Sequence, residues 1–127
     1  MTSIYQDNLQ SRCPDLFNLA EYVLENANKN PRKKALEIIS KFSNYSISFE
    51  ELKSRVLKTG NALVKLGLNR NDKILLRLDN TVTFPIAYLG AISVGIIPVP
   101  TSINLTEYEL MELVKILQPE AIMTSKP

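Results

Sequence analysis

The feature that most constrains the fold is the alternation of short apolar segments with helix-like segments after Lys73. The apolar pattern predicts three strands, at residues 73–78, 96–99 and 121–124. It predicts a helix at residues 83–94, which are apolar on nearly all sides, and an amphipathic helix that Pro119 ends. Strands that alternate with helices in this order are typical of a right-handed parallel α/β sheet.

Three helix starts are marked by capping boxes, in which a polar side chain and a glutamate three residues later bond to each other's backbone N–H groups. The pairs are Asn18 with Glu21, Ser48 with Glu51, and Thr106 with Glu109. We expect the first helix to end at residues 28–30, before Pro31, and the second to end at Gly67. The predicted buried stripe of the second helix consists of Leu52, Val56, Leu63 and Val64, and that of the third of Leu110, Leu113, Val114 and Leu117.

Between the first two helices, residues 35–39 and 45–47 predict two strands of an irregular hairpin, joined by residues 40–44. Residues 1–15 are expected to form an irregular arm. We find no internal repeat and no linker, and 127 residues suffice for one core. The chain is therefore predicted to be one α/β domain or part of one.

The residue inventory excludes several kinds of chemistry. The chain has no histidine, so it cannot use imidazole as a general base or as a zinc ligand. Its single cysteine, Cys13, has no partner for an internal disulfide, which predicts an inert thiol in a reducing compartment. The first residues lack the basic and apolar regions of a signal peptide, so we expect a cytoplasmic location.

Charge and hydropathy argue against nucleic-acid and membrane partners. Fifteen basic and thirteen acidic residues give a net charge of +2, which produces no long-range attraction for nucleic acid. The one basic cluster consists of Lys29, Arg32, Lys33 and Lys34, has no interleaved aromatic residue, and is interpreted as a solvated loop. The apolar stretch 84–100 is interrupted by prolines and glycines and is shorter than the ~20 residues of a membrane span.

No catalytic, cofactor-binding or metal-binding residue can be assigned from the pattern. The four glycines form no phosphate-binding motif. The carboxylates Glu50, Glu51, Glu107, Glu109 and Glu112 fall in the first turns of helices, where capping explains them better than acid/base catalysis. Asp79 and Asn80 follow a strand, where parallel sheets bind ligands, but a turn or cap role is favoured. Tyr45 and Tyr88 are interpreted as core or half-buried aromatic residues.

Two segments resemble motifs of the adenylate-forming superfamily. Residues 47–52, Ile-Ser-Phe-Glu-Glu-Leu, resemble its L-T-Y-x-E-L motif. Residues 89–100, Leu-Gly-Ala-Ile-Ser-Val-Gly-Ile-Ile-Pro-Val-Pro, are similar to the next motif, a helix that ends in glycine before a strand with a proline pair. Residues 84–87 and 98–100 look most like the benzoate–CoA ligase branch. The order of these segments extends the resemblance from about residue 18 to the end.

The resemblance implies a fold, a reaction and partners. The fold would be the family's N-terminal subdomain, with a small strand hairpin and a parallel βαβαβ unit, incomplete relative to the full domain. Intact members use ATP and Mg²⁺ to convert a carboxylate to an acyl-adenylate, then transfer the acyl group to coenzyme A. Their glycine-rich phosphate loop and catalytic lysine have no counterpart in these 127 residues, so we expect no cofactor to be bound by this chain alone.

Two hypotheses remain open at this stage. The chain is either an N-terminal fragment of an acyl- or aryl-CoA synthetase, inactive without the remainder of the parent enzyme, or a free-standing protein-interaction module. In both cases an uncovered apolar face or sheet edge would allow it to form a homo-oligomer.

Overall fold

The computed structural model describes residues 15–39 and 44–125. The helices are α1 (Leu19–Leu24), α2 (Asn26–Lys29), α3 (Phe49–Lys65), α4 (Thr83–Ser93) and α5 (Glu107–Leu117). The strands are β1 (Lys34–Ile39), β2 (Asn44–Ser48), β3 (Lys73–Arg77), β4 (Ile97–Pro100) and β5 (Ala121–Thr124). Cys13, nearly all of the predicted arm and most of the predicted hairpin loop lie outside the described residues.

The predicted first helix is two short helices, α1 and α2, which meet at Glu25. The Glu25 N–H donates to the carbonyl of Tyr22 at 3.4 Å, three residues back, whereas an α-helical bond would reach four residues back. Glu25 nevertheless keeps helical dihedrals (φ −56°, ψ −34°), so the chain continues in the helical sense. At the start, Asn18 Oδ1 accepts from the N–H groups of Ala20 and Glu21, which confirms Asn18 as the cap, but the return bond from Glu21 that a capping box needs is not formed among the described residues.

The strands form two sheets, as predicted. Strands β1 and β2 are an antiparallel pair with an irregularity between Lys34 and Leu36. The other three strands form a parallel sheet in the order β4-β3-β5. In this sheet β4 lies on one side of β3, and β5, which follows β4 in the chain, lies on the other side of β3. Right-handed crossovers therefore place α4 and α5 on opposite faces of this sheet.

The alternating side chains of β3 serve both faces of the parallel sheet. Ile74, Leu76 and the following Leu78 belong to a buried cluster with residues of α4. Leu75 points the other way along the strand and is fully buried, on the face that α5 covers. The run of apolar residues in β3 is thus explained by burial on both sides.

The α4 side of the sheet is three layers deep. Outside α4 lie α3 and α1, and a second buried cluster joins α1, β2, α3 and α4. Its fully enclosed members include Ala20, Ile47 and Val56. Helix α4 is therefore covered on both sides, which is why its sequence is apolar nearly all round.

Helices α3 and α4 end in the same way. Gly67 (φ 96°) and Gly95 (φ 78°) adopt the left-handed conformation that glycine accepts without a steric penalty. After α3, the Leu68 N–H donates to the carbonyl of Leu63, and the Ile96 N–H after α4 makes the equivalent bond to Ala91. Each pair is a Schellman motif with its apolar residue folded into the core. The predicted end at Gly67 is confirmed, whereas Ile96 completes α4 instead of starting β4.

Glycines at the crossing of α3 and α4 let the two helices approach closely. A Cβ atom at Gly60 would lie 2.9 Å from the carbonyl oxygen of Gly90 and 2.6 Å from Ser93 Oγ. A Cβ atom at Gly90 would lie 2.8 Å from Thr59 Cγ2. The two backbones are therefore in contact at a distance that only glycine permits.

The predicted buried stripe of α5 is wrong. Helix α5 has no buried residue, and its stripe is only half-buried. Tyr108, Met111 and Ile116 on its outer side are 73%, 54% and 75% exposed. The reason is that α5 packs only loosely against the other described elements, and none of them lies over its outer side. Val64 of α3, also predicted as buried, is 52% exposed.

Candidate functional site

A pair of polar side chains joins the carboxyl ends of β3 and β5, where open parallel sheets bind ligands. Ser125 Oγ donates to Asp79 Oδ2 at 2.7 Å, and the Asp79 N–H donates to Ser125 Oγ at 3.2 Å. The Thr81 N–H donates to the carbonyl of Asp79 at 2.8 Å, while Asn80 is exposed. Asp79 thus lies in the turn after β3 and binds the end of β5.

The glutamates proposed as possible acid/base groups are helix caps or local ion-pair partners. Glu51 accepts the Ser48 N–H at 2.8 Å, and Ser48 Oγ accepts the Glu51 N–H at 3.2 Å. Glu112 pairs with Lys115 at 2.7 Å on the surface of α5. Glu50 and Glu107 lie in first turns, where the helix dipole favours negative charge.

Glu109 shows the electrostatic effect of capping most clearly. Its carboxylate accepts the backbone N–H of Thr106 at 2.8 Å and the Thr106 hydroxyl at 2.8 Å. These two hydrogen bonds, the backbone one more strongly, hold the pKa of Glu109 below its ordinary value of 4.5. A carboxylate held in its ionised form in this way is a poor proton donor near neutral pH.

The basic cluster is solvated, as predicted, but only Arg32 and Lys33 lie in the loop, since Lys29 ends α2 and Lys34 begins β1. Lys29 pairs with Glu25 at 2.5 Å, and Lys34 pairs with Glu37 at 2.7 Å. Both lysines are mostly exposed. Local carboxylates therefore neutralise half of the four cations.

The two tyrosines considered in the sequence have structural contacts. Tyr88 is partly buried and stacks on Phe84 with ring centroids 6.2 Å apart. Tyr45 is 45% exposed on β2, and the guanidinium of Arg55 lies 6.0 Å from its ring centre. Both agree with the prediction of core or half-buried aromatic residues.

Arg77 is a residue that the sequence analysis missed. It ends β3 on the same face as Leu75, and its Nη2 donates to the carbonyls of Ile103 and Leu105, each at 3.1 Å. Its Nε is buried and has no hydrogen-bond partner among residues 15–39 and 44–125. No sequence signal marks it, because a single arginine at the end of a strand is common.

The described part of the chain has no cluster of metal ligands, and its clefts are open to solvent. It contains no group of three or more histidine, cysteine, aspartate or glutamate residues that could hold a metal. A cleft of about 400 Å³ separates α1 and α2 from α3, but Lys53 on its wall already bonds Asn28 Oδ1 at 2.9 Å. Across the described helices, none is long and apolar enough to cross a membrane.

Comparison with known proteins places this fold and these motifs in one family. The family described as "AMP-binding enzyme" matches residues 23–127. The 4-hydroxybenzoate–CoA/benzoate–CoA ligase of Rhodopseudomonas palustris is 43% identical over 61 residues, which are 48% of this chain and 11% of that protein. The benzoate–CoA ligase of Thauera aromatica is 39% identical over 69 residues, 52% of this chain and 13% of that protein.

Solved structures agree. The crystal structure of a benzoate CoA ligase from Burkholderia xenovorans LB400 superposes with a TM-score of 0.76 at 28% identity. The superposition covers 86% of this chain and 22% of that one. The matched segments therefore span between about a tenth and a quarter of the length of these relatives. Together the profile match, the identities and the shared fold show that this chain belongs to the AMP-binding enzyme family.

Proposed function

We propose that this chain is the N-terminal scaffold of an AMP-forming carboxylate–CoA ligase of the aryl-CoA type, and that it has no ligase activity by itself. In the reaction that the family implies, a carboxylate oxygen attacks the α-phosphorus of ATP, and pyrophosphate leaves with Mg²⁺ bound. The thiol of coenzyme A then attacks the acyl carbon and releases AMP. The similarity to two benzoate–CoA ligases supports an aromatic carboxylate as the substrate of the parent enzyme.

The observation that carries the proposal is the position of the four glycines. A phosphate cradle needs backbone N–H groups that converge without Cβ atoms in the way. Gly67 and Gly95 end helices in the left-handed conformation, and Gly60 and Gly90 form the contact between α3 and α4. Each glycine therefore has a structural role away from the carboxyl ends of the strands.

Helix α4, which follows the carboxyl end of β3, also lacks the features of a phosphate site. The N–H groups of Thr83 and Phe84 at its start already donate to Thr81 Oγ1 at 3.3 Å and to the Thr81 carbonyl at 3.2 Å, and the preceding turn contains Asp79. A carboxylate at that position repels a phosphate. The triphosphate of ATP would accordingly be held by polypeptide other than residues 15–39 and 44–125.

The test is ATP–pyrophosphate exchange with the purified chain, with benzoate and 4-hydroxybenzoate as substrates. We expect no exchange above the protein-free background, with the Thauera aromatica benzoate–CoA ligase as positive control. Exchange by the chain alone would refute the proposal. The reading frame after codon 127 gives an independent test, since continuation into a Ser/Thr/Gly-rich loop that ends in Pro-Lys supports an enzyme fragment.

A second candidate function is that of a free-standing protein-interaction module. We propose a cytoplasmic location for the chain under either candidate. The observation in its favour is that β5, at the edge of the described parallel sheet, has a neighbour on one side only. The outer side of α5 is also exposed. A stop codon directly after codon 127 would favour this candidate, and self-association in sedimentation velocity would be its expected behaviour.

A further inference from the structure

We draw no further inference here: the strongest candidate, the open and largely apolar groove of about 510 Å³ lined by Tyr22 of α1, Leu36 of β1 and Pro85 of α4, carries nothing because no contact within residues 15–39 and 44–125 shows what covers it.

Discussion

Substitution of Gly60 by alanine tests whether the contact between α3 and α4 holds the domain together. The new Cβ atom would lie 2.6 Å from Ser93 Oγ, 2.9 Å from the carbonyl oxygen of Gly90 and 3.1 Å from Val94 Cγ1. A backbone oxygen in a packed helix cannot rotate away, so the two helices must separate. Overpacking of this kind costs about 3 kcal/mol at the upper end of its usual range.

Alanine in a helix interior is also more favourable than glycine, by roughly 1 kcal/mol, which offsets part of this cost. The expected net loss of unfolding free energy is therefore about 2 kcal/mol. With a urea m-value of about 1–3 kcal/mol per molar, the midpoint should fall by roughly 1 M at unchanged m-value. The assay is urea unfolding followed by far-UV circular dichroism.

Two further variants make the interpretation specific. Asn61→Ala changes the next residue of α3, which is exposed, and should stabilise the chain slightly or have no effect. Ser93→Ala in the Gly60→Ala background removes the shortest contact but leaves the one with the Gly90 carbonyl, so it should restore only part of the stability. A Gly60→Ala variant as stable as Asn61→Ala would refute the argument from close packing.

Two other predictions concern helix ends. The hydrogen bonds from Thr106 lower the pKa of Glu109 in the folded chain below its value in the unfolded chain. The ionised carboxylate therefore stabilises the fold at any pH above the unfolded pKa, and this stabilisation is lost as the pH falls through the folded pKa. Glu109→Gln should therefore lower the urea midpoint at pH 7 but not at a pH well below 4.5; an equal deficit at both pH values would contradict the capping role. Gly67→Ala meets no atom within 4 Å, so its expected cost of about 1 kcal/mol comes from the left-handed backbone alone, and an unchanged midpoint would contradict it.

The order and type of the elements were predictable from local signals. The capping boxes at Ser48 and Thr106 start their helices as predicted, and Gly67 closes α3. These signals act over three or four residues, so sequence alone contains them. The parallel sheet followed from the strand and helix alternation together with the handedness rule.

Properties that depend on more distant residues were predicted less well. The apolar periodicity contained no signal for the break at Glu25 or for the exposure of Val64. The stripe on α5 has the spacing of a buried helix, but burial depends on what lies over it. Local and distant contacts differ in the same way at the candidate site. The capping role of Glu51 and Glu109 was predictable because it involves residues three positions apart. The Asp79–Ser125 pair was not predictable, because it joins residues 46 positions apart.

The sequence by itself determined that this protein has helix starts, helix ends and strands in the order of a parallel α/β unit, since each signal is a short-range hydrogen-bonding or steric preference. It also determined, by having no histidine and no glycine-rich loop, which chemistries the chain lacks. Only the tertiary structure decided that Gly60 and Gly90 meet at a helix crossing and that, within residues 15–39 and 44–125, α5 has no outer layer and Arg77 Nε has no acceptor. These properties arise when segments far apart in the chain come into contact or leave a surface uncovered, and no local pattern encodes them.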